Sequence, residues 1–473
     1  MKRITLSAAL LVSLSLTSCD KELTLVPYNS ITSDQAFASA TDFQNAVNGI
    51  YGGFLGASYY GGDMIIVPDL LADNLIISQR GRLTNRVYSE YLYSGESTSG
   101  LYFNAYVAVR RANAVLENID KLTPETLRPN YRGEALAARA LAHFDLARLY
   151  GKGYVQATAA DLGVPYITST DVTQKPARET LRQTYDKVVA DLVEAEAIIN
   201  VTNGVGRLNK VAVNGLLSRV YLYRGEWQKA VDAATKSLTA NGNVGSIADY
   251  PNIFRDATEN GVLFKLRIID KDAIQVGVNY SQGSANGIRS EYVIDYDLFT
   301  KYAKNDVRLT TGTQTSNFSG TPYNHIAKYL GRATGNSNVV DVKVLRVAEV
   351  LLNRAEALFR LSKDADALAD LNRLRVNRYT GFDAIKATET STALAEAIDL
   401  ERRLELAFEG HRFFDLKRRN QPIVRNTKSG DLANGTGITY VKPGFAASDT
   451  KFQLPIPQSE INANPNIIQN PGY

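Results

Sequence analysis

Through most of the chain, apolar residues recur at intervals of three and four, and over one long central segment they alternate instead. Phe43, Ala46, Val47, Ile50 and Phe54 make one helical stripe, with Thr41 or Asp42 as its cap. Tyr102, Tyr106, Val109, Ala112, Leu116 and Ile119 make a second. Thr123 with Pro124 marks a further helix start, because proline in a first turn has no amide to leave unpaired. Ala135 to Tyr150 is rich in alanine and leucine, suited to close helix packing, and Gly151 supplies its stop. Thr180 and Gln183 form a capping box ahead of Leu181, Tyr185, Val188, Leu192, Ala195 and Ile199.

Between residues 211 and 238 the pattern doubles: Leu217 and Tyr221 precede a Gly225, Glu226, Trp227 turn, and Ala230 and Ala234 follow it. Small residues on both arms resemble the helix, turn, helix unit of tetratricopeptide repeats. Leu352, Ala355 and Leu358 before Lys363, with Ala367, Leu371 and Leu374 after it, form a second such unit, and Ala135 to Tyr150 is half of another. The copies do not keep a fixed period, so the array is interrupted. The interruption is the segment 241–340, rich in Asn, Gly, Ser and Thr, where Val262, Phe264, Leu266 and Ile268 alternate as a strand. The fold class predicted is mainly α: tetratricopeptide-like helical repeats carrying a loop-rich insertion with short β-strands.

Binding residues on such a scaffold are expected on loops. Glycines around Tyr59 and Tyr60, just ahead of Asp63, predict an exposed turn that presents two rings. The polar passage 73–99 holds Arg80, Arg82, Arg86, Tyr88, Tyr91 and Tyr93, and the insertion adds Arg289, Tyr292, Tyr296 and Tyr323. Tyr59, Tyr60, Asp63, Arg80, Tyr91, Tyr93, Arg289, Tyr292 and Tyr296 are the ligand-binding candidates, since aromatic faces and charged or polar groups suit a hydroxyl-rich ligand.

The densest mixture of apolar and charged residues is Glu401 to Asn420. Leu400, Leu404, Ala407 and Phe408 follow helical spacing, with Phe414 on a neighbouring face, while Glu401, Glu405 and Glu409 recur every four residues. Three carboxylates in one ladder repel one another and need cations, from Arg412 and from arginines elsewhere. A catalytic or metal-binding acid cluster is one reading, and an Arg and Glu network that locks helices together is the preferred one.

Composition changes this picture in two places. The chain has 473 residues, 44% hydrophobic and 22% charged, with a formal net charge of +4 and no extended basic block, which gives no footprint for nucleic acid. The first change is aromatic: 26 Tyr and 16 Phe stand against one Trp, so a stacking surface would have to rely on tyrosine. The second is the start of the chain. Lys2 and Arg3 precede an apolar run from Ile4 to Leu16, too short to span a bilayer, which reads as a signal peptide over residues 1–18. It ends Leu16, Thr17, Ser18, Cys19, which resembles a bacterial lipobox, and Cys19 is the sole cysteine. Acylation there would tether the protein, since each buried CH₂ contributes about 0.8 kcal/mol and several chains anchor stably.

Three stretches carry a family resemblance: ERRLELAFEGHRFFDLKR, the closing FQLPIPQSEINANPNIIQNPGY, and the pair RVAEVLLNRAEALFR and LNRLR. With the lipobox and the FQNAVNGIY and RANAVLENI helices, they closely resemble the SusD/RagB family of Bacteroidetes outer-membrane lipoproteins over nearly the whole chain. The resemblance implies a lipid-anchored outer-membrane protein, facing outwards, that captures oligosaccharides, or in some members peptides or other nutrients. It also implies delivery to a SusC-like TonB-dependent transporter. No site residue carries over by motif, and the tryptophan common in the family's carbohydrate sites has its only counterpart in Trp227, at a repeat turn.

The organisation expected is a signal peptide over 1–18, a lipidated N-terminus and tether over 19–30 and a helical part over 31–240. A variable subdomain over 241–340 follows, then the helical signature and ordered tail over 341–473, packed on the N-terminal helices. A non-catalytic binding protein without cofactor is expected. His143, His325 and His411 have no metal-site spacing, no serine elbow is present, and no carboxylate pair is singled out for a glycoside hydrolase, the less favoured alternative. Repeats alone would also suit a protein-interaction scaffold.

Overall fold

A computed structural model describes residues 35–272 and 274–473; Cys19, the leader and the tether lie outside them. Helix α1 (Ala40–Phe54) starts at Ser39, whose hydroxyl accepts the Asp42 amide while the Asp42 carboxylate accepts the Ser39 amide. The cap is thus Ser39 rather than Thr41 or Asp42, because this reciprocal pair satisfies two free amides at once. α2 (Asp63–Leu71) is apolar on all sides apart from Asp69, and from Met64 onward every residue is buried.

The repeat scaffold follows: α3 (Ser99–Asn118), α4 (Arg128–Tyr150), α5 (Leu181–Ile198), α6 (Lys210–Arg224) and α7 (Trp227–Ala240), each packed on the next. The Thr123 and Pro124 signal is followed first by a short 3₁₀ turn, Glu125–Leu127, so α4 begins at Arg128. Gly151 ends α4, the Thr180 and Gln183 box caps α5, and Gly225, at φ 72°, closes α6 in the left-handed conformation that glycine adopts at least cost. α7 packs on α8 (Val347–Arg360), whose hairpin partner is α9 (Asp364–Arg375). Two repeat units therefore stack directly although about a hundred residues of chain separate them. α10 (Ser391–Leu406) lies on α8 and α9, and α11 (Arg412–Arg418) lies on α2.

The strands sit mainly in the intervening segment. β1 (Leu75–Ile77) comes from the passage after α2, followed by β2 (Val262–Leu266), β3 (Gln282–Ser284), β4 (Gly287–Arg289), β5 (Tyr292–Ile294), β6 (Thr313–Phe318), β7 (Thr321–Ile326) and β8 (Val342–Arg346). β2 and β8 pair antiparallel at the root of the insertion, so the chain leaves and re-enters the scaffold at one place. β3, β4, β6 and β7 form a four-stranded sheet in that order. β1 pairs antiparallel with β5, Leu75 opposite Ile294, which ties the insertion to the N-terminal half. One apolar core runs through helices from both halves of the chain.

At Glu401 to Asn420 the helix does not run on. α10 stops at Leu406, Phe408 takes φ 69° and Gly410 φ 77°, and α11 restarts at Arg412. The Phe408 amide donates to Asp69 Oδ2 at 2.5 Å, which holds the turn. Only Glu401 and Glu405 share a helix, yet all three glutamates are answered by cations. Glu401 meets Arg308 at 2.7 Å, Glu405 meets Arg346 at 2.6 Å and Arg378 at 2.8 Å, and Glu409 meets Arg346 and Lys328, both at 2.7 Å. Burial alone would raise the Glu405 carboxyl, but Arg378 and Arg346 hold it well below the usual carboxylate range. Arg412, expected to answer Glu409, reaches Asp73 instead at 2.7 Å, because the break turns α11 toward α2. Leu400, placed by spacing in the buried stripe, is exposed.

Candidate ligand-binding site

The passage after α2 and the middle of the insertion meet across the β1 and β5 pairing. Glu291, buried beside β5, accepts the Arg82 amide at 2.5 Å and pairs with the Arg82 guanidinium at 2.9 Å. The Tyr292 hydroxyl donates to the Thr84 carbonyl at 2.8 Å, and Arg289 Nε donates to the Arg80 carbonyl at 2.9 Å. A third strand of chain comes from the tail. Buried Asp431 accepts the Gln79 amide through one oxygen, at 2.9 Å, and the Ile438 amide through the other, at 2.8 Å. Tyr440 donates to the Leu75 carbonyl, and buried Arg425 donates to the carbonyls of Leu70, Leu71, Ala72 and Ser89. The guanidinium at the C-terminal end of α2 thus answers the free carbonyls left there.

These contacts frame a groove of about 280 Å³ between Ile77, Gln79, Leu83, Arg86 and Glu90 on one wall and Ile438 to Val441 on the other. Leu83 is 44% exposed, Ile438 43% and Val441 65%, an aliphatic lining open to solvent. Arg86 and Glu90 pair at 2.7 Å on its edge. Three depressions are larger: in one of about 360 Å³ Lys152 pairs with Asp161, and two more are less suited to a ligand because their polar groups are committed to one another. In one of about 480 Å³, Tyr51 and Arg207 both bond to Glu134. In the other, of about 470 Å³, Arg332 bridges Asp256 and Asp341, and Lys265 also holds Asp341.

The structure corrects the expected exposure of the aromatic candidates. Tyr59 and Tyr60 are buried, and both hydroxyls donate to Asp145 Oδ2, at 2.6 and 2.9 Å. The glycine-flanked turn is tight rather than protruding: a side chain at Gly61 would collide with the Leu55 carbonyl, and the close return aims both rings inward. Tyr91 is buried under Arg425 and donates to the Leu71 carbonyl at 3.1 Å. Tyr93 donates to the Lys451 carbonyl at 2.5 Å, and Tyr292 is fully buried. In each case the ring fills the core while the hydroxyl finds an internal acceptor, so none presents a face to solvent. Tyr323 is likewise buried, with its hydroxyl against the Arg80 side chain.

Four candidates remain at least partly at the surface. Arg80 is exposed, and Arg289 and Tyr296 are half-buried, Tyr296 against Phe299 and Gly435. Asp63 is half-buried at the start of α2, where it accepts the Asn85 side chain at 3.1 Å and burial raises its carboxyl above the ordinary value. Arg80 and Arg289 come together beside the groove, whereas Asp63 is not among the groove's lining residues.

Residues 246–473 match the family model described as the SusD family, and residues 28–222 match the one described as starch-binding associating with outer membrane. A solved SusD superfamily protein from Bacteroides thetaiotaomicron shares 30% identity, with a TM-score of 0.80 over 92% of this chain and 100% of its own. The chain belongs to the SusD/RagB family. Among other SusD-like relatives, protein P2 of Formosa agariphila is 26% identical over 97% of this chain and 98% of its own length. The starch-binding protein SusD of B. thetaiotaomicron is 36% identical over 28% of this chain and 22% of its own length.

In this SusD/RagB chain, sequence reasoning missed the groove-lining residues Gln79, Leu83, Ile438, Thr439 and Val441. A signal was present. In Ile438, Thr439, Tyr440, Val441 alternation predicts a two-faced extended strand, and Tyr440 alone has its ring in the interior. The buried carboxylate at Asp145, paired with Arg148 on one oxygen, likewise left its other oxygen in need of donors, which Tyr59 and Tyr60 supply. Among the described residues no helix is long and apolar enough to cross a membrane.

Proposed function

We propose that this SusD/RagB protein is an outer-membrane lipoprotein, anchored through Cys19 and facing outwards, that captures an oligosaccharide without transforming it. It then passes the ligand to a SusC-like TonB-dependent transporter. The observation that carries the reading is the convergence of residues 77–90, the insertion and the tail at 431–441 on one open groove. That convergence occurs in a chain whose N-terminal match is described as starch-binding. Leu83, Ile438 and Val441 offer aliphatic surface to the C–H face of a pyranose, while Gln79, Thr439 and Glu90 supply partners for hydroxyls.

The acids around the groove support the non-catalytic reading. Glycoside cleavage requires two carboxyl groups free to act across the bond. Here Glu90 pairs with Arg86, Glu291 with Arg82 and Thr84, and Asp431 caps two backbone amides.

Calorimetry of the purified protein against an oligosaccharide panel tests capture, with Val441→Asp and Ile438→Asp as probes of the groove. Either substitution is expected to weaken a bound oligosaccharide by about tenfold or more, and Val441→Asp to leave stability within about 0.5 kcal/mol, as is usual for an exposed position. Binding that neither substitution alters moves the site elsewhere. Recovery of a β-barrel transporter with the protein from detergent-solubilised membranes tests the handover, and release of shorter sugars by the pure protein would overturn non-catalysis.

A further inference from the structure

We infer that the captured oligosaccharide carries negative charge, as carboxylate or sulfate ester, seated at Arg80 and Arg289, which meet where the Arg289 side chain rests on the Arg80 carbonyl. This rests on the oligosaccharide reading above and narrows its ligand class.

Arginines in the interior of this protein typically face a carboxylate. Arg219 pairs with Glu349 at 2.6 Å, Arg402 with Asp415 at 2.8 Å and Arg418 with Glu356 at 2.6 Å. Arg80 and Arg289 differ: among the described residues neither forms an ion pair. They are nevertheless held together. Arg289 Nε is fixed on the Arg80 carbonyl at 2.9 Å, and the Arg80 side chain lies against the Tyr323 hydroxyl. Of the nearby carboxylates, Glu291 is already taken by Arg82 and Thr84, and Asp431 is held by the amides of Gln79 and Ile438. Arg80 also follows directly on Gln79, a wall residue of the groove, so the two arginines border its aliphatic surface.

A guanidinium presents parallel N–H donors that match the two oxygens of a carboxylate or sulfate, and the Arg289 bond to backbone restricts its fork before ligand arrives. Neutral hydroxyls gain less from such donors than an anion does.

The test uses the full chain in detergent, titrated with tetragalacturonate for the carboxylate source, a sulfated galactan tetrasaccharide for the sulfate source, and maltotetraose as the neutral probe. One charged probe is expected to bind about tenfold or more tighter than maltotetraose. That preference should shrink as salt rises from about 0.05 M to about 0.5 M, and vanish in the double variant Arg80→Gln, Arg289→Gln at an unchanged melting temperature. Neutral binding as tight as charged binding, unaltered by the double variant, overturns the charge assignment and leaves oligosaccharide capture standing. A charged preference that the double variant retains overturns the assignment to these two arginines. Binding of none of the three, with binding of peptides instead, overturns both.

Discussion

Two sets of arginines divide this molecule. At the junction of α10, α11 and the insertion, Arg308, Arg346, Arg378 and Arg402 are fully buried, and each meets a carboxylate. At the rim of the groove, Arg80 and Arg289 meet none among the described residues. The same side chain is a structural bolt in one place and an open contact in the other, and water accounts for the difference. A charge removed from solvent must be matched inside, so buried arginines describe the fold; a solvated one needs no internal partner, so its pairing state describes the surface's purpose.

The comparison breaks most severely at Glu405. Glu405→Ala leaves Arg346 and Arg378 without their shared carboxylate and is expected to destabilise by about 3–5 kcal/mol in urea unfolding. Any folded fraction should keep its ligand affinity. Normal stability with lost binding would return the junction to the site.

Acid titration separates the two sets next. Burial raises the Glu349 and Glu356 carboxyls, but Arg219 and Arg418 respectively overcome it and hold each at about 2, below the ordinary 4.5. Folded values below unfolded ones mean stability that is present above about pH 4.5 and lost as pH falls toward 2, on the order of 3 kcal/mol for each. Asp69 works in the opposite sense. Burial lifts it to about 7, so its contribution is complete below about pH 4 and is lost as pH rises through 7. Urea unfolding across pH 2–8 should show both limbs, with the upper one flattened in Asp69→Asn.

The smallest effect tests the inward tyrosines. Tyr59→Phe removes one of two hydroxyl donors to Asp145 and is expected to cost about 1–2 kcal/mol of stability while ligand affinity stays unchanged. A loss of affinity without loss of stability would restore Tyr59 to the binding surface.

The helices were legible because periodicity and caps are local: the Thr180 box, the Gly151 stop and the Gly225 turn each act within a few residues. So was the need for cations around Glu401 and Glu405, since like charges on one face cannot stand alone. Their identities were not, because Arg308 arrives from the insertion and Arg346 from the end of β8 by tertiary packing. The direction of Tyr59, Tyr60, Tyr91, Tyr93 and Tyr292 was equally hidden. A glycine-rich setting signals a turn without saying which way its rings face, and only the acceptor, such as Asp145 or the Thr84 carbonyl, decides. Arg80 and Arg289, 209 positions apart, were both singled out, and the β1 and β5 ladder sets them side by side.

The β2 and β8 pairing has an evolutionary corollary. Since the intervening chain departs and returns at adjoining strands, while α7 rests directly on α8, its interior can lengthen, shorten or be replaced without shifting the register of the helices beneath. Such exchange is limited by three cations. Arg308, Lys328 and Arg346 lie between α7 and α8 in sequence and bond to glutamates at and beyond the end of α10, so a graft lacking them would strand negative charge in the core. The segment is interchangeable cargo with a keyed base: a chimera should fold when those three positions are retained together with β5, which pairs with β1 and feeds the shared core.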